Sequence, residues 1–202
     1  GQMLLRIEDI DRARCRADYE AAIYDDLRWL GLDWPRPVLR QSDRLADYAG
    51  AIHRLTALGV TYACTCTRGD IRAALSAPQE GVVVIGPDGP VYPGTCKGRR
   101  DPGDGRPFSW RLDVAEAVRR VGNLTWTDAD AGEIMATPER LGDVVIARKD
   151  APAAYHLAVV VDDHWQGVTD VVRGRDLFDS THIHRLIQYI LDIRPPAYYH
   201  HK

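Results

Sequence analysis

The chain has 202 residues, 45% hydrophobic and 27% charged, and its 26 basic and 29 acidic residues leave a formal charge of −3. That balance suits one globular domain or two small ones with a core of ordinary size, and it excludes the strongly basic footprint of a general nucleic-acid binder. No apolar run approaches the ~20 residues that span a bilayer and no secretory signal is visible, so a cytoplasmic chain without a membrane partner is expected.

Residues 3–8 (MLLRIE) read as a strand running into the acidic residues Glu8, Asp9 and Asp11. A helix is expected over 18–30, with Ile23, Leu27 and Leu30 on one face and Gly31 as its stop. A second is expected over 43–58. Leu45, Tyr48, Ile52 and Leu55 share its apolar face, Ser42 can cap its start and Gly59 can end it. Residues 62–66 are short and β-like, and Thr67 with Asp70 forms a capping box for a brief helix to about Leu75. From 76 to 107 the chain carries the Gly and Pro of turns, interrupted by the apolar residues 82–85. Residues 108–112 return to a strand pattern. Strands are then expected at 144–146, 157–161 and 168–172, the near-continuous middle run suiting a strand covered on both faces. A helix at 180–191 turns Ile183, Ile187, Ile190 and Leu191 inward. The expected fold is α/β, with a core of 1–60 and 142–202 and an inserted subdomain at 61–141. The abrupt start at Gly1-Gln2-Met3 and the end at His200-His201-Lys202 read as truncation at both ends.

Three constellations carry chemistry. Glu8 and Asp9 follow a strand's C-terminal end, where open α/β sheets build their sites. A carboxylate there can hold a ligand ammonium group; taken alone, a solvated turn is the blander alternative. Next comes Tyr155-His156 and the run ending in Asp162-Asp163-His164, followed by Val172-Arg173-Gly174. Arg173 has the planar fork that grips a carboxylate at two points, and Tyr155 offers a hydroxyl, so a small-molecule site for a carboxylate is expected. A metal site at Asp162, Asp163 and His164 is disfavoured, because three adjacent strand residues do not point the same way. Last, of the four cysteines (Cys15, Cys64, Cys66 and Cys96), three share the middle of the chain. Cys64-x-Cys66 with Tyr92-x-x-x-Cys96 offers three thiolates and an oxygen for a tetrahedral zinc shell. His or water are rival fourth ligands, and three reduced cysteines in a small core are the alternative. Candidate phosphate contacts are Lys97, Arg99 and Arg100, then Arg119 and Arg120, then Arg148 and Lys149; solvated surface charge is the other reading of each.

The stretches LLRIEDIDRAR, LRWLGLDW, YACTCTRGDI, VYPGTC, GDVVIARKDAPAAYHLAVVVDDHWQGVTDVVRGRDL and STHIHRLIQYIL, in this order, resemble the glutamyl-tRNA synthetase group of class I synthetases. Within the group they look most like the glutamyl-queuosine branch, through Tyr92–Cys96, 155–163 and 166–169. The resemblance implies a Rossmann-type catalytic core with an inserted zinc-binding subdomain. It also implies a monomeric ligase that activates glutamate with ATP, accompanied by magnesium, and transfers it to queuosine in the anticodon of tRNA(Asp). Glu8, Tyr155 and Arg173 match the group's glutamate-binding residues, and Cys64, Cys66, Tyr92 and Cys96 its zinc ligands. The HIGH-type and KMSKS-type ATP motifs of the group lie outside this sequence. The loop between Cys66 and Tyr92 is long for the group, and His182-Ile183-His184 replaces a Pro-Arg-Gln-like stretch. Two rival readings follow: a core fragment of a synthetase that charges tRNA(Glu), and a non-catalytic module that binds tRNA or an amino acid.

Overall fold

The computed structural model describes residues 1–11, 14–76, 84–100 and 105–202. Strands β1 (Arg6–Ile7) and β2 (Leu39–Arg40) flank helix α1 (Ala17–Trp29) and pair in parallel. Next come α2 (Leu45–Ala57), β3 (Thr61–Cys64), α3 (Arg68–Ser76), the β4 (Ile85–Gly86) and β5 (Gly89–Pro90) hairpin, and β6 (Ser109–Leu112). Then follow α4 (Val114–Val121), β7 (Thr125–Asp128), β8 (Gly132–Met135) and β9 (Val145–Ala147). The chain closes with α5 (Tyr155–Gln166), β10 (Asp170–Gly174), α6 (Ser180–Ile190) and β11 (Ala197–His201). Strands β10, β11 and β7 lie side by side and parallel, with β8 antiparallel outside β7. A second sheet, antiparallel, joins β3, β6 and β9.

The main core lies between these sheets and the helices. Leu55 of α2, Leu112 of β6, Ile146 of β9, Leu157 of α5, and Ile183 and Ile187 of α6 are all buried in it. The apolar face read for α2 is real: Tyr48, Ile52 and Leu55 are buried. Gly59 takes the left-handed conformation that ends the helix. Ser42 does not cap it; the serine's N–H and hydroxyl both donate to Asp9, at 2.8 and 2.6 Å. The capping box at α3 forms as read, Thr67 N–H donating to the Asp70 carboxylate and Asp70 N–H to the Thr67 hydroxyl. Of the apolar stretch 82–85, residues 82 and 83 lie outside the described residues, and Ile85 opens the β4–β5 hairpin.

One expected strand is corrected. Residues 157–161 form no strand; they are the middle of α5. A short continuous apolar run is compatible with a buried strand or a buried helix. Here α5 is covered on several sides, Leu157 and Val160 facing the main core and Ala158 facing Tyr48 and Ala153. That all-round burial erases the helical alternation. Gly167, left-handed at φ 65°, is the stop signal that marks the helix. Helix α1 forms as read, and none of its residues is buried. Ile23 and Leu30 remain exposed, with Trp29 beside them 84% exposed. Among the described residues no helix is long and apolar enough to cross a membrane.

Asp143 ties the second sheet to α4. Its carboxylate accepts from the Tyr62 hydroxyl at 2.7 Å and from Val114 N–H at 2.9 Å, and its carbonyl accepts from Arg111 at 2.7 Å. Burial, then the bond to Asp143, pushes the Tyr62 hydroxyl far above its ordinary range, so it stays a donor. Asp143→Ala leaves that hydroxyl and one helix N–H without an acceptor. Urea unfolding is expected to show a loss of about 2–3 kcal/mol; a loss below about 0.5 kcal/mol, the scale of an ordinary surface change, would contradict this account.

Candidate functional site

Arg173 is the meeting point of the site. Parallel pairing sets it on β10 opposite His200 of β11. Its Nε–H donates to His200 Nε2 at 3.0 Å, and its terminal nitrogens reach Tyr155 Oη and His184 Nδ1, both at 3.3 Å, the Leu177 carbonyl at 3.2 Å and the Thr181 hydroxyl. All five acceptors are neutral, and among the described residues Arg173 forms no ion pair. Hydrogen bonds to neutral acceptors orient a guanidinium without cancelling its charge. Tyr155, the first residue of α5, accepts from Arg173, so its own O–H remains free to donate. Burial raises the Tyr155 hydroxyl above its usual range and keeps it protonated.

The histidines around this cation are neutral, and their tautomers follow from the bonds. A guanidinium only donates, so His184 Nδ1 is an acceptor and its proton sits on Nε2. That proton faces His156 Nδ1 at 3.3 Å. Burial pushes the His156 imidazole down to about 4, with Arg173 adding to it. Burial, then His156 and Arg173, carries His184 well below an ordinary imidazole. These histidines had no assigned role from sequence. The only signal was the unusual His182-Ile183-His184 stretch, which the structure divides three ways. His182 accepts N–H groups from Trp126 at 3.3 Å and Thr137 at 3.1 Å, Ile183 fills the core and His184 turns to Arg173.

A cleft of about 940 Å³ separates β1 from β10, lined by Arg6, Glu8, Asp163, Gln166 and the edge of β10. Glu8 is half-exposed on its wall, and among the described residues only the Arg6 guanidinium, 3.4 Å away, pairs with it. The structure thus brings Tyr155 and Arg173 into contact and sets Glu8 on the neighbouring cleft without a direct contact to either. The two carboxylates read at a strand end sit on α5 and diverge. Asp162 is fully buried and accepts from Gln41 at 2.8 Å and Tyr48 at 2.9 Å, while Asp163 takes Arg6 at 2.7 Å. They do not converge with His164 on a metal position.

Among the described residues the group able to hold a metal is Cys64, Cys66 and Cys96, whose sulfurs lie within 4.8 Å of one another. Tyr92 lies beside it: its Oη is 3.4 Å from both Cys64 Sγ and Cys66 Sγ, and the Cys66 and Cys96 sulfurs are 3.4 Å apart. A tetrahedral zinc with Zn–S about 2.3 Å and Zn–O about 2.0 Å has edges of about 3.8 Å between sulfurs and about 3.5 Å from sulfur to oxygen. The two sulfur–oxygen distances agree with that figure, and the Cys66–Cys96 edge is shorter than it. Cys96 N–H donates to Tyr92 Oη at 3.0 Å, and the Arg111 guanidinium lies over the Tyr92 ring at 3.8 Å; burial, then the bonds to the three cysteines, outweigh the Cys96 N–H and hold the Tyr92 hydroxyl protonated, far above its ordinary range. Burial would raise the Cys96 thiol, but bonds from the Thr65 backbone, Tyr92 and Cys66 outweigh it and bring it to about 6. Lys149 Nζ donates to the carbonyls of Thr65 at 2.6 Å and Cys66 at 3.3 Å, on the turn that carries the first two sulfurs.

Much of the basic charge is already paired. Lys97 meets Asp113 at 2.8 Å, Arg119 and Arg120 both meet Glu116, and Arg148 meets Asp150 at 2.8 Å.

The sequence profile of the class I (E and Q) tRNA synthetase catalytic domain matches residues 1–202. A glutamyl-Q tRNA(Asp) synthetase of Rhodobacter capsulatus is 50% identical over 100% of this chain and 74% of its own length. The chain belongs to this class I synthetase family, in the glutamyl-Q tRNA(Asp) synthetase branch. Synthetases of the same name from Deinococcus radiodurans and Symbiobacterium thermophilum are 42% and 40% identical over 99% of the chain, which spans 64% of each. The fold is that of a class I synthetase catalytic domain. A glutamate tRNA ligase of Elizabethkingia meningosepticum, solved with its amino acid, superposes with a TM-score of 0.75 at 23% identity, over 99% of this chain and 42% of that one. The glutamate-tRNA synthetase of Elizabethkingia anophelis gives 0.76, also at 23% identity, over 43% of its chain.

The buried imidazoles of this synthetase chain make its stability depend on acid. His156 and His184 resist protonation when folded, whereas the unfolded chain takes up protons below 6.5. Their contribution is therefore complete above that value and is lost as the pH falls towards about 4. Chemical unfolding from about pH 7.5 to about pH 5 is expected to show a steady loss, shallower in His156→Gln; an equal slope in both proteins would contradict the assignment.

Proposed function

We propose that this chain is part of the catalytic core of an enzyme that activates glutamate with ATP and transfers it to queuosine in the anticodon of tRNA(Asp). The names of the relatives support the reaction. One observation in the site supports the substrate: Arg173 is a positive charge oriented by five neutral acceptors, with no carboxylate of its own among the described residues. A substrate carboxylate supplies the missing charge. In this reading Arg173 and the free Tyr155 O–H hold the glutamate side chain, and Glu8 takes the ammonium group. The remaining carboxylate is aligned for in-line attack on the ATP α-phosphate, giving an adenylate and pyrophosphate, with magnesium accompanying the nucleotide. The work is orientation and charge stabilisation, and no side chain serves as a covalent nucleophile.

In the same proposal Cys64, Cys66, Cys96 and Tyr92 hold one zinc ion. Zinc in a closed shell of four protein ligands is structural, and here it would fix the turn after β3 against the segment before Lys97. Residues 61–141 are the zinc-bearing inserted unit facing the acceptor, and 1–60 with 142–202 form the amino-acid-activating core. The enzyme works as a cytoplasmic monomer.

Elemental analysis of protein purified without added metal is expected to find one zinc per chain. Tyr92→Phe should weaken its retention against a chelator, and Cys96→Ser should abolish it. Zinc near zero with no gain on reconstitution would end the metal assignment, and unchanged retention in Tyr92→Phe would remove the tyrosine from it.

For the reaction, full-length protein is offered labelled glutamate with tRNA from cells that make queuosine and from cells that do not. Label is expected only on queuosine-bearing tRNA(Asp). Label on the 3′ end of tRNA(Glu) would favour a synthetase that charges tRNA(Glu). Absence of pyrophosphate exchange with ATP and glutamate would favour a non-catalytic binding module.

A further inference from the structure

Asp128, His200 and Arg173 lie in a row across three adjacent parallel strands. Arg173 of β10 is the register partner of His200 on β11, and β11 pairs with the end of β7 through Tyr198 and Asp128. The Asp128 carboxylate is 2.8 Å from His200 Nδ1, and neither side chain has accessible surface. We propose that Asp128 and His200 are positioning residues for Arg173, setting the angle at which its guanidinium meets a substrate carboxylate. The proposal rests on reading Arg173 as the residue that holds the glutamate side chain.

The chemistry of the row runs in one direction. Asp128 also accepts N–H groups from Asp130 at 3.1 Å, Ala131 at 3.0 Å and His200 at 3.2 Å. Burial would raise its carboxyl, but these bonds outweigh it and hold the group below the usual carboxylate range. An ionised carboxylate only accepts, so the His200 proton must sit on Nδ1. That leaves Nε2 with its lone pair facing the Arg173 Nε–H at 3.0 Å. Nε is the position that fixes rotation of the guanidinium plane: with Nε–H committed to His200, the two terminal nitrogens are turned to Tyr155 and Thr181. The imidazole itself cannot turn. Tyr198 stacks on it at 5.9 Å, and Phe178 and Trp126 meet it edge-on at 5.1 and 5.8 Å. Burial opposes charge on His200 and Arg173 and Arg175 press the same way, so the ring stays the neutral acceptor although Asp128 pulls against them. This is the arrangement by which a carboxylate orients a histidine toward a third group elsewhere in protein chemistry, with a guanidinium as the third group.

The test measures pyrophosphate exchange by the full-length protein, with KM for glutamate, KM for ATP and melting temperature recorded for each variant. Arg173→Ala is the control for the underlying reading and should raise the glutamate KM. His200→Phe removes the acceptor and should raise it about tenfold, as for loss of a hydrogen bond to a charged group, with the ATP KM unchanged. In His200→Gln the amide oxygen can accept from Nε–H and should restore most of the loss. Asp128→Asn can donate to Nδ1 and turn the His200 tautomer against Arg173. Its effect on the glutamate KM should therefore vanish in the His200→Gln background, even where a loss of melting temperature persists. The proposal is overturned if Arg173→Ala raises the glutamate KM while His200→Phe leaves it as in the parent or raises both KM values equally. If His200→Phe does not fold, an equal Asp128→Asn effect in both backgrounds overturns it. An unchanged glutamate KM in Arg173→Ala removes the underlying reading and this proposal together.

Discussion

A guanidinium held by neutral groups alone is an unfinished electrostatic arrangement. Arg173 is half-buried, oriented at each of its nitrogens and left with its charge uncancelled among the described residues. Maintaining that state constrains much of what surrounds it. The nearest histidines must stay neutral, which their burial secures. The one nearby carboxylate in the row, Asp128, is held on the far side of an imidazole, where it can direct Arg173 without pairing with it. A direct Asp–Arg pair in that place would stabilise the chain and close the site.

The parallel register of β7, β11 and β10 makes this possible. Residues far apart in the chain, Asp128 and His200, become neighbours because the strands that carry them are adjacent. Helix α6 completes the enclosure from the other side, sending Thr181 and His184 toward Arg173 while Ile183 and Ile187 anchor it in the core. One face of one helix thus does two jobs.

Local features were legible in the sequence. The periods of α2 and α6, the capping box at Thr67 and Asp70, and the close spacing of Cys64 with Cys66 each depend on residues within a turn or two of one another. The run 157–161 was misread because burial on all sides removes the period that distinguishes helix from strand, leaving Gly167 as the informative residue. The apolar face of α1 has the correct spacing, but none of its residues is fully buried and Leu27 is only half-buried; periodicity reports a helix, not the depth of its packing. Tyr155 and Arg173 could be named from their chemistry and from the family resemblance. Asp128, His200 and His156 could not, since their meaning arises only when strand register and helix packing set them beside Arg173. Asp143 was missed for the same reason: its donors come from three separate elements, β3, β6 and α4.

The short reach of Lys149 links two parts of the molecule that chemistry would treat as separate. Its ammonium group grips the carbonyls of Thr65 and Cys66, and the same residue stands six positions before Tyr155, at the head of the segment that leads into α5. The cysteine turn is therefore connected, through the Lys149 ammonium group, to the segment that leads into the helix carrying the tyrosine. The thiol cluster and the Arg173–Tyr155 contact thus share one link, a hydrogen-bonded lysine at one end and a short stretch of chain at the other.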